Sequence, residues 1–88
     1  MTPDEFLGNQ DASVHLRTQL LEPDPEGGSP TVVIQGTRAA LRFLAELLMK
    51  IADVGSLPFD VHLDPRGAGK FHFDETSSIG LYIECIDS

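Results

Sequence analysis

Three short segments in the last third of the chain alternate between apolar and polar residues, and this alternation constrains the fold most. Apolar side chains fall at every second position in Phe59–Leu63, Lys70–Asp74 and Ile79–Cys85. Successive side chains of a strand point to opposite faces of a sheet, so each segment is predicted to be a strand with one core face and one polar face. The polar face is expected to carry Asp60, His62, Asp64, His72, Asp74, Tyr82 and Glu84.

The first third of the chain predicts two more strands joined by a long loop. Ser13–Leu21 alternates and is predicted to be a strand, after a flexible N-terminal segment at residues 1–12. Residues 22–30 are rich in Pro, Gly and acidic side chains, which predicts a mobile hairpin loop. The β-branched run Thr31–Gln35 predicts a central strand that is buried on both faces.

One amphipathic helix is predicted between Thr37, a suitable N-cap, and Gly55, which is expected to close the C-terminus. Its core face is expected to consist of Ala40, Leu41, Leu44, Leu47, Leu48 and Ile51. A strand–helix–strand connection favours a right-handed crossover between parallel strands, whereas short turns join antiparallel ones. The predicted fold is therefore α+β: a single two-layer domain over residues 1–88 in the order β-β-α-β-β-β. One helix packs on one face of a mixed four- to five-stranded sheet.

The charge of the chain restricts its partners. The 88 residues contain 14 acidic and 6 basic side chains, for a formal net charge of −8. The acidic charge disfavours nucleic acids and anionic membranes as partners, because their phosphates are neutralised by clustered Lys and Arg. It permits a basic partner, since opposite charges speed association, and solubility alone accounts equally well for an acidic surface.

The single cysteine, the N-terminal residues and the lengths of the apolar runs bear on the location of the protein. Cys85 has no second cysteine to pair with and is expected to be a buried thiol. The N-terminal residues lack the basic and apolar regions of a signal peptide, and no apolar run approaches the roughly 20 residues of a membrane helix. The sequence therefore predicts a cytoplasmic protein.

Two kinds of chemistry are considered for the polar face. In a hairpin closed by residues 64–69, His62 and His72 would lie nearly opposite each other, flanked by acids, which is the donor set of a divalent metal or a ligand site. An acid–base pair of His and Asp is disfavoured because a flat sheet offers no concave pocket. No nucleophile elbow surrounds Ser77 and Ser78, and no phosphate-binding loop is present. The chain is therefore not expected to be an enzyme or to need a cofactor.

A protein-binding module fits the polar face better than these alternatives. Tyr82 is a suitable anchor, because aromatic side chains are enriched at interface hot spots, although a half-buried structural role is equally compatible. A homodimer through the open face or an unpaired edge strand is a further alternative.

The order of residues from Thr31 to Ile86 resembles a known family. An apolar strand leads into Gly36 and an amphipathic helix, followed by His62-Leu-Asp64, a turn, and a closing strand preceded by Ser77-Ser78. This arrangement is similar to small immunity proteins of bacterial polymorphic toxin systems, in particular the immunity protein thirty-two family. His62, Asp64 and Ser78 match the pattern and are candidates with no assigned role.

The resemblance implies a small cytoplasmic protein that binds and neutralises a toxin encoded beside it. It implies no catalytic residues. An acidic surface is compatible with a basic toxin, so the polar face is the expected contact with that partner: Asp60, His62, Asp64, His72, Asp74, Tyr82 and Glu84.

Overall fold

The computed structural model describes residues 1–9 and 14–86. These residues form two α-helices, a short 3₁₀ helix and four strands. In chain order the elements are α1 (Pro3–Gly8), β1 (Arg17–Leu21), β2 (Thr31–Gln35), α2 (Arg38–Ala52), β3 (Phe59–Leu63), the 3₁₀ helix (Lys70–His72) and β4 (Leu81–Cys85). The α+β class is confirmed. Within the described residues, however, the strands form two antiparallel two-stranded sheets, β1–β2 and β3–β4, in place of one mixed sheet.

Helix α1 was not expected, because residues 1–12 are predicted to be flexible. Its formation follows from its N-cap: the Thr2 hydroxyl accepts a hydrogen bond from the Glu5 amide (3.1 Å) and donates one to Glu5 Oε1 (3.2 Å). Pro3 occupies the first turn, where its missing N–H costs nothing. The helix buries Phe6 in the core. Residues 10–12 of the predicted segment lie outside the described residues.

Strands β1 and β2 form the antiparallel hairpin that the sequence predicts, joined by residues 22–30. Thr18 lies opposite Ile34, and Leu20 lies opposite Val32. The prediction that β2 is buried on both faces is wrong, because four of its five residues are exposed. Helix α2 packs instead against α1, β3 and β4, so it leaves β2 uncovered.

The second edge of β1 is paired with the segment at residues 72–79. The Leu16 amide donates to the His72 carbonyl (2.9 Å), and the Asp74 amide donates to the Leu16 carbonyl (2.6 Å). Farther along, the Ser78 amide donates to the Thr18 carbonyl (2.8 Å). Leu16 and Phe73 thus form a parallel bridge. Strand β1 is therefore held on both sides, and this contact joins the start of the chain to its last quarter.

Helix α2 begins as predicted, because the Thr37 hydroxyl accepts a hydrogen bond from the Ala40 amide (3.1 Å). It ends at Ala52 with Asp53 as the C-cap, two residues before the predicted Gly55. Its buried side chains are Ala40, Phe43, Leu47 and Ile51. The predicted core face was wrong at Leu41 and Leu48, which are each 45% exposed. Steps of three and four residues from Ala40 reach Phe43, Leu47 and Ile51, and these positions form the buried face of the helix.

Strands β3 and β4 confirm two of the predicted strands and correct their connection. They pair antiparallel, with Val61 opposite Ile83, but residues 64–80 separate them in place of a short turn. The predicted strand at Lys70–Asp74 is wrong, because Lys70–His72 is a 3₁₀ helix. The predicted parallel crossover from β2 to β3 is also wrong, since these strands belong to different sheets.

The core lies around α2, between this helix, α1 and the β3–β4 sheet. Its buried apolar side chains come from both helices, from β3 and from the segments that flank β1 and the 3₁₀ helix: Phe6, Leu16, Ala40, Phe43, Leu47, Ile51, Val61, Leu63 and Phe73. Cys85 is half-buried beside this cluster, which is less burial than predicted. Within the described residues, no helix has the length and apolarity needed to cross a lipid bilayer.

Candidate functional site

The β3–β4 ladder brings four of the predicted site residues onto one exposed face. Asp60 lies opposite Glu84, and His62 lies opposite Tyr82. Positions two apart on a strand share a face, so these four side chains form one polar surface, here called the ribbon face. All four are exposed, and Tyr82 is 61% exposed.

Tyr82 contacts both His62 and Glu84 on the ribbon face. The rings of His62 and Tyr82 meet edge to face, with centroids 6.0 Å apart and planes at 68°. The Tyr82 hydroxyl donates a hydrogen bond to Glu84 Oε2 (3.3 Å). Desolvation, followed by the negative charges of Asp60 and Glu84, raises the pKa of Tyr82 above its usual value. The phenol therefore keeps its proton near neutral pH and remains a hydrogen-bond donor.

The pairing of Asp60 with Glu84 places two carboxylates directly across the ladder from each other. Like charges in this arrangement destabilise a sheet. The arrangement therefore adds nothing to the stability of the isolated protein, and it concentrates negative potential on an exposed surface.

Asp64 lies at the end of β3 and shapes the turn that follows. Its Oδ1 accepts a hydrogen bond from the Arg66 amide (2.8 Å), and its own amide donates to the Ala68 carbonyl (2.7 Å). The side chain is half-buried. Asp64 is thus placed at the edge of the ribbon face, with its carboxylate engaged in an Asx turn.

His72 does not lie on an open sheet face, which corrects its predicted placement. It ends the 3₁₀ helix and is only 2% exposed. Its ring stacks on Phe43 (centroids 5.1 Å apart) and is tilted against Phe71 (4.4 Å). Burial, together with the nearby His15, lowers the pKa of His72 below its usual value. The imidazole is therefore neutral at pH 7.

The predicted opposition of His62 and His72 across a hairpin is also wrong, because the ladder partner of His62 is Tyr82. Within residues 1–9 and 14–86, no group of three or more His, Cys, Asp or Glu side chains is placed to hold a metal ion.

Asp74 lies apart from the ribbon face, beside β1. Its Oδ1 accepts hydrogen bonds from the Thr76 hydroxyl (2.6 Å) and the Thr76 amide (2.8 Å). These hydrogen bonds lower the pKa of Asp74 below its usual value. The carboxylate lines a shallow cleft with His15, Phe73 and Glu75. Its role in the described structure is that of a turn residue.

The two serines that precede β4 contact β1. The Ser77 hydroxyl accepts a hydrogen bond from the Thr18 amide (3.0 Å) and donates to the Leu16 carbonyl (3.1 Å). Ser77 is buried, whereas Ser78 is exposed and contacts β1 through its backbone amide. These hydrogen bonds hold the segment that leads to the ribbon face against β1.

A cleft of about 320 Å³ opens beside the ribbon face, between α1, β3 and the 3₁₀ helix. Its lining includes Asp60 and His62 of the ribbon face and the buried His72, together with Asp4, Leu7, Gly8, Val61, Leu63, Ala68, Gly69 and Phe71. The sequence prediction missed this cleft because it missed α1. The Thr2-Pro-Asp-Glu5 capping signature was the signal that would have revealed the helix.

Comparison with known proteins gives one match. The family model described as Immunity protein 32 matches residues 31–86. A search of curated proteins and a search of solved structures each gave no match. The matched segment contains β2, α2, β3 and β4, and so includes the whole ribbon face. It covers well over half of the chain, and the chain therefore belongs to the Immunity protein 32 family.

Proposed function

We propose that this chain neutralises a cognate bacterial toxin by binding to it directly, with the ribbon face at the centre of the contact. Membership of the Immunity protein 32 family supports an immunity function and a toxin as partner. The proposed mechanism is occlusion: the acidic surface covers the active site of a basic toxin. It requires no catalytic step from this chain, and its expected location in the cytoplasm stays a prediction.

The observation that carries this proposal is the placement of Asp60 directly opposite Glu84. The two carboxylates repel each other in the free protein, and a cationic group placed between them would remove that repulsion. Binding energy is thus available at this position to a basic partner and not to a neutral one. The exposed ring of Tyr82, next to this pair, supplies the aromatic contact area that is common at interface hot spots.

The other predicted contact residues, Asp64, His72 and Asp74, lie outside the centre of the proposed interface. Asp64 lies at the edge of the ribbon face, and His72 is reached only through the cleft. Asp74 lies beside β1, so it contacts the toxin only if the interface extends beyond the ribbon face. The net charge of −8 supports electrostatic attraction of a basic toxin over the whole surface.

The test is co-purification with the product of the adjacent toxin gene, combined with charge-neutralising variants. The double variant Asp60→Asn/Glu84→Gln is expected to weaken toxin binding at least tenfold. The matched control, Glu22→Gln/Glu26→Gln, removes the same charge from the exposed 22–30 loop and is expected to change affinity less than twofold. Equal affinity of the ribbon variant and the wild type would refute the ribbon face as the contact. A larger effect of the control would move the interface to the loop.

Ligand binding through His62 and His72 is a second candidate function, favoured by one observation: both residues line the same cleft. Titration with zinc and with small anions, followed through the imidazole NMR signals, tests it. Unshifted signals of both histidines would exclude this function.

Self-association is proposed through the outer edge of β2. Among the described residues β2 pairs only with β1, and Thr31–Gln35 carries no charge although the chain is strongly acidic. A second copy would meet no like charge along this edge, and unprotected edge strands favour pairing. Sedimentation at high concentration is expected to show a dimer that Val33→Lys converts to monomer. A monomer in the wild type at all concentrations would refute this proposal.

A further inference from the structure

We propose that the cleft between α1, β3 and the 3₁₀ helix receives the guanidinium group of an arginine side chain of the toxin. This inference rests on the proposed function and deepens it, because the cleft shares Asp60 and His62 with the ribbon face. It identifies the chemistry of one contact and the residues outside the ribbon face that make it.

The dimensions of the cleft suit one side chain. Its volume of about 320 Å³ is at the lower end of the roughly 300–1,000 Å³ typical of ligand pockets. Val61, Leu63 and Leu7 provide an apolar lining for the methylene groups of a long side chain. Such a lining favours arginine or lysine, whose stems pack on apolar surface while the charged end reaches polar groups.

The charge of the cleft selects a cation. Asp4 of α1 and Asp60 of β3 line it from different elements, and no Lys or Arg is among its described lining residues. A carboxylate accepts two parallel hydrogen bonds from a guanidinium, which favours arginine over lysine.

His72 places a hydrogen-bonding group in the wall of the cleft. The side chain is only 2% exposed, and neither ring nitrogen has a hydrogen-bond partner among the described residues. Since no buried side-chain nitrogen of those residues lacks a partner, the small exposed area of the ring lies at its nitrogens, which are open to the cleft. A neutral imidazole offers one acceptor nitrogen, which suits an N–H of a guanidinium.

Phe71 supplies the third recognition element. It lines the cleft next to His72, yet it is 53% exposed. The exposed part of the ring is accessible to a group that enters the cleft. A guanidinium stacks readily on an aromatic face, so Phe71 is positioned to cover the bound group.

The first experiment uses the protein alone, with Nα-acetyl-arginine methylamide as the probe and the uncharged citrulline analogue as its control. NMR signals of His72 and Phe71 are expected to shift saturably with the arginine probe and not with the citrulline probe. The exposed methyl groups of Leu48, on α2 and outside the cleft, supply an internal reference. Equal shifts with both probes, or none with either, would overturn the inference.

The second experiment measures toxin affinity for cleft variants. Asp4→Asn and Phe71→Ala are each expected to weaken binding about five- to tenfold, whereas Glu46→Gln on the exposed side of α2 should leave it unchanged. Normal toxin binding by both cleft variants would overturn this inference and leave the proposed function intact. Failure of the wild type to bind the toxin would overturn the proposed function, and with it the toxin as the source of the arginine. The probe titration would still report separately on whether the cleft recognises a guanidinium.

Discussion

The imidazole of His72 stacks on the phenyl ring of Phe43, with ring planes only 18° apart. The rings of Phe43 and Phe6 are themselves stacked, with centroids 5.7 Å apart. One titratable ring thus continues a stack of apolar rings from α1 and α2. The folded protein favours the neutral form of this side chain, because the charged form would lose its hydration on burial.

Because of this stack, we predict that the free energy of unfolding decreases as the pH falls from about 6.5 to the pKa of His72 in the folded protein. Burial lowers the pKa of His72 in the folded protein from the ordinary value of 6.5. Below about pH 6.5 the unfolded chain therefore binds a proton that the folded chain resists, so stability is full above that pH and decreases below it. The loss is about 1.4 kcal/mol for each pH unit between the two pKa values and ends at the folded pKa. Urea unfolding at pH 7.5, 6.0 and 5.0 measures it.

Two variants test whether this change of stability with pH comes from His72. His72→Phe keeps a ring in the stack and is expected to flatten the pH dependence between pH 7.5 and 5. Met49→Leu, an exposed change on α2 that removes no titratable group, should leave the slope unchanged. The charges that surround His72 are those of His15, Asp4, Asp60 and His62. An unchanged slope in His72→Phe would show that another group is responsible.

The buried contact between Thr18 and the 77–79 segment is expected to be costly to break. The Thr18 hydroxyl donates to the Ile79 carbonyl (2.6 Å), and Thr18 is fully buried. Thr18→Val leaves that carbonyl without this donor and should destabilise the protein by about 1–3 kcal/mol. Thr31→Val, on the exposed β2, makes the same chemical change and is expected to shift stability by less than about 0.5 kcal/mol. Chemical denaturation of both variants provides the comparison.

Gly80 is predicted to tolerate no side chain. A Cβ at this position would lie 2.7 Å from the Leu63 carbonyl oxygen and 3.4 Å from Asp64 Cα. Both neighbours are backbone atoms at the end of β3, so Gly80→Ala should cost about 1–3 kcal/mol and displace the ribbon face. Gly55→Ala meets no atom within 4 Å and serves as the control. Equal melting temperatures of the two variants would contradict the prediction.

Removing the charge of Asp60 should have opposite effects on folding and on binding. Asp60→Asn relieves the repulsion with Glu84 and is expected to stabilise the free protein by about 0.2–1 kcal/mol at low salt. The same variant should weaken toxin binding. Thermal unfolding at low and high salt, alongside affinity measurements, tests both effects. A destabilised variant would show that the carboxylate has a structural role.

Local patterns predicted most of the regular elements. The α2 cap at Thr37 follows from capping chemistry, strands β1, β3 and β4 follow from alternation, and β2 follows from its β-branched run. Each of these signals depends on neighbouring residues alone. The segment at Lys70–Asp74 shows the limit of this reasoning. Its alternation predicts a strand, but Lys70–His72 form a 3₁₀ helix after Gly69, whose conformation is left-handed (φ 78°). Phe71 is therefore exposed, whereas the adjacent His72 and Phe73 are both buried.

The candidate site was predictable only in part for the same reason. Asp60, His62, Tyr82 and Glu84 share a face because strand periodicity fixes it, whatever the strand order. The places of His72 and Asp74 depend on how the 64–80 connection crosses the molecule, which no local pattern specifies. The partners of β1 on its second edge are likewise more than fifty positions away in the chain.

The double pairing of β1 has a consequence for the minimal folding unit. Residues 31–86 carry the family match, yet Phe6 and Leu16 of the preceding thirty residues complete the core around Phe43 and Phe73. A fragment restricted to the matched segment would expose these two aromatic rings to water and lose the neighbour of the 72–79 segment. The part of the chain that resembles its family is therefore shorter than the part that must fold together. A protein that shares only the matched segment needs some other cover for those rings.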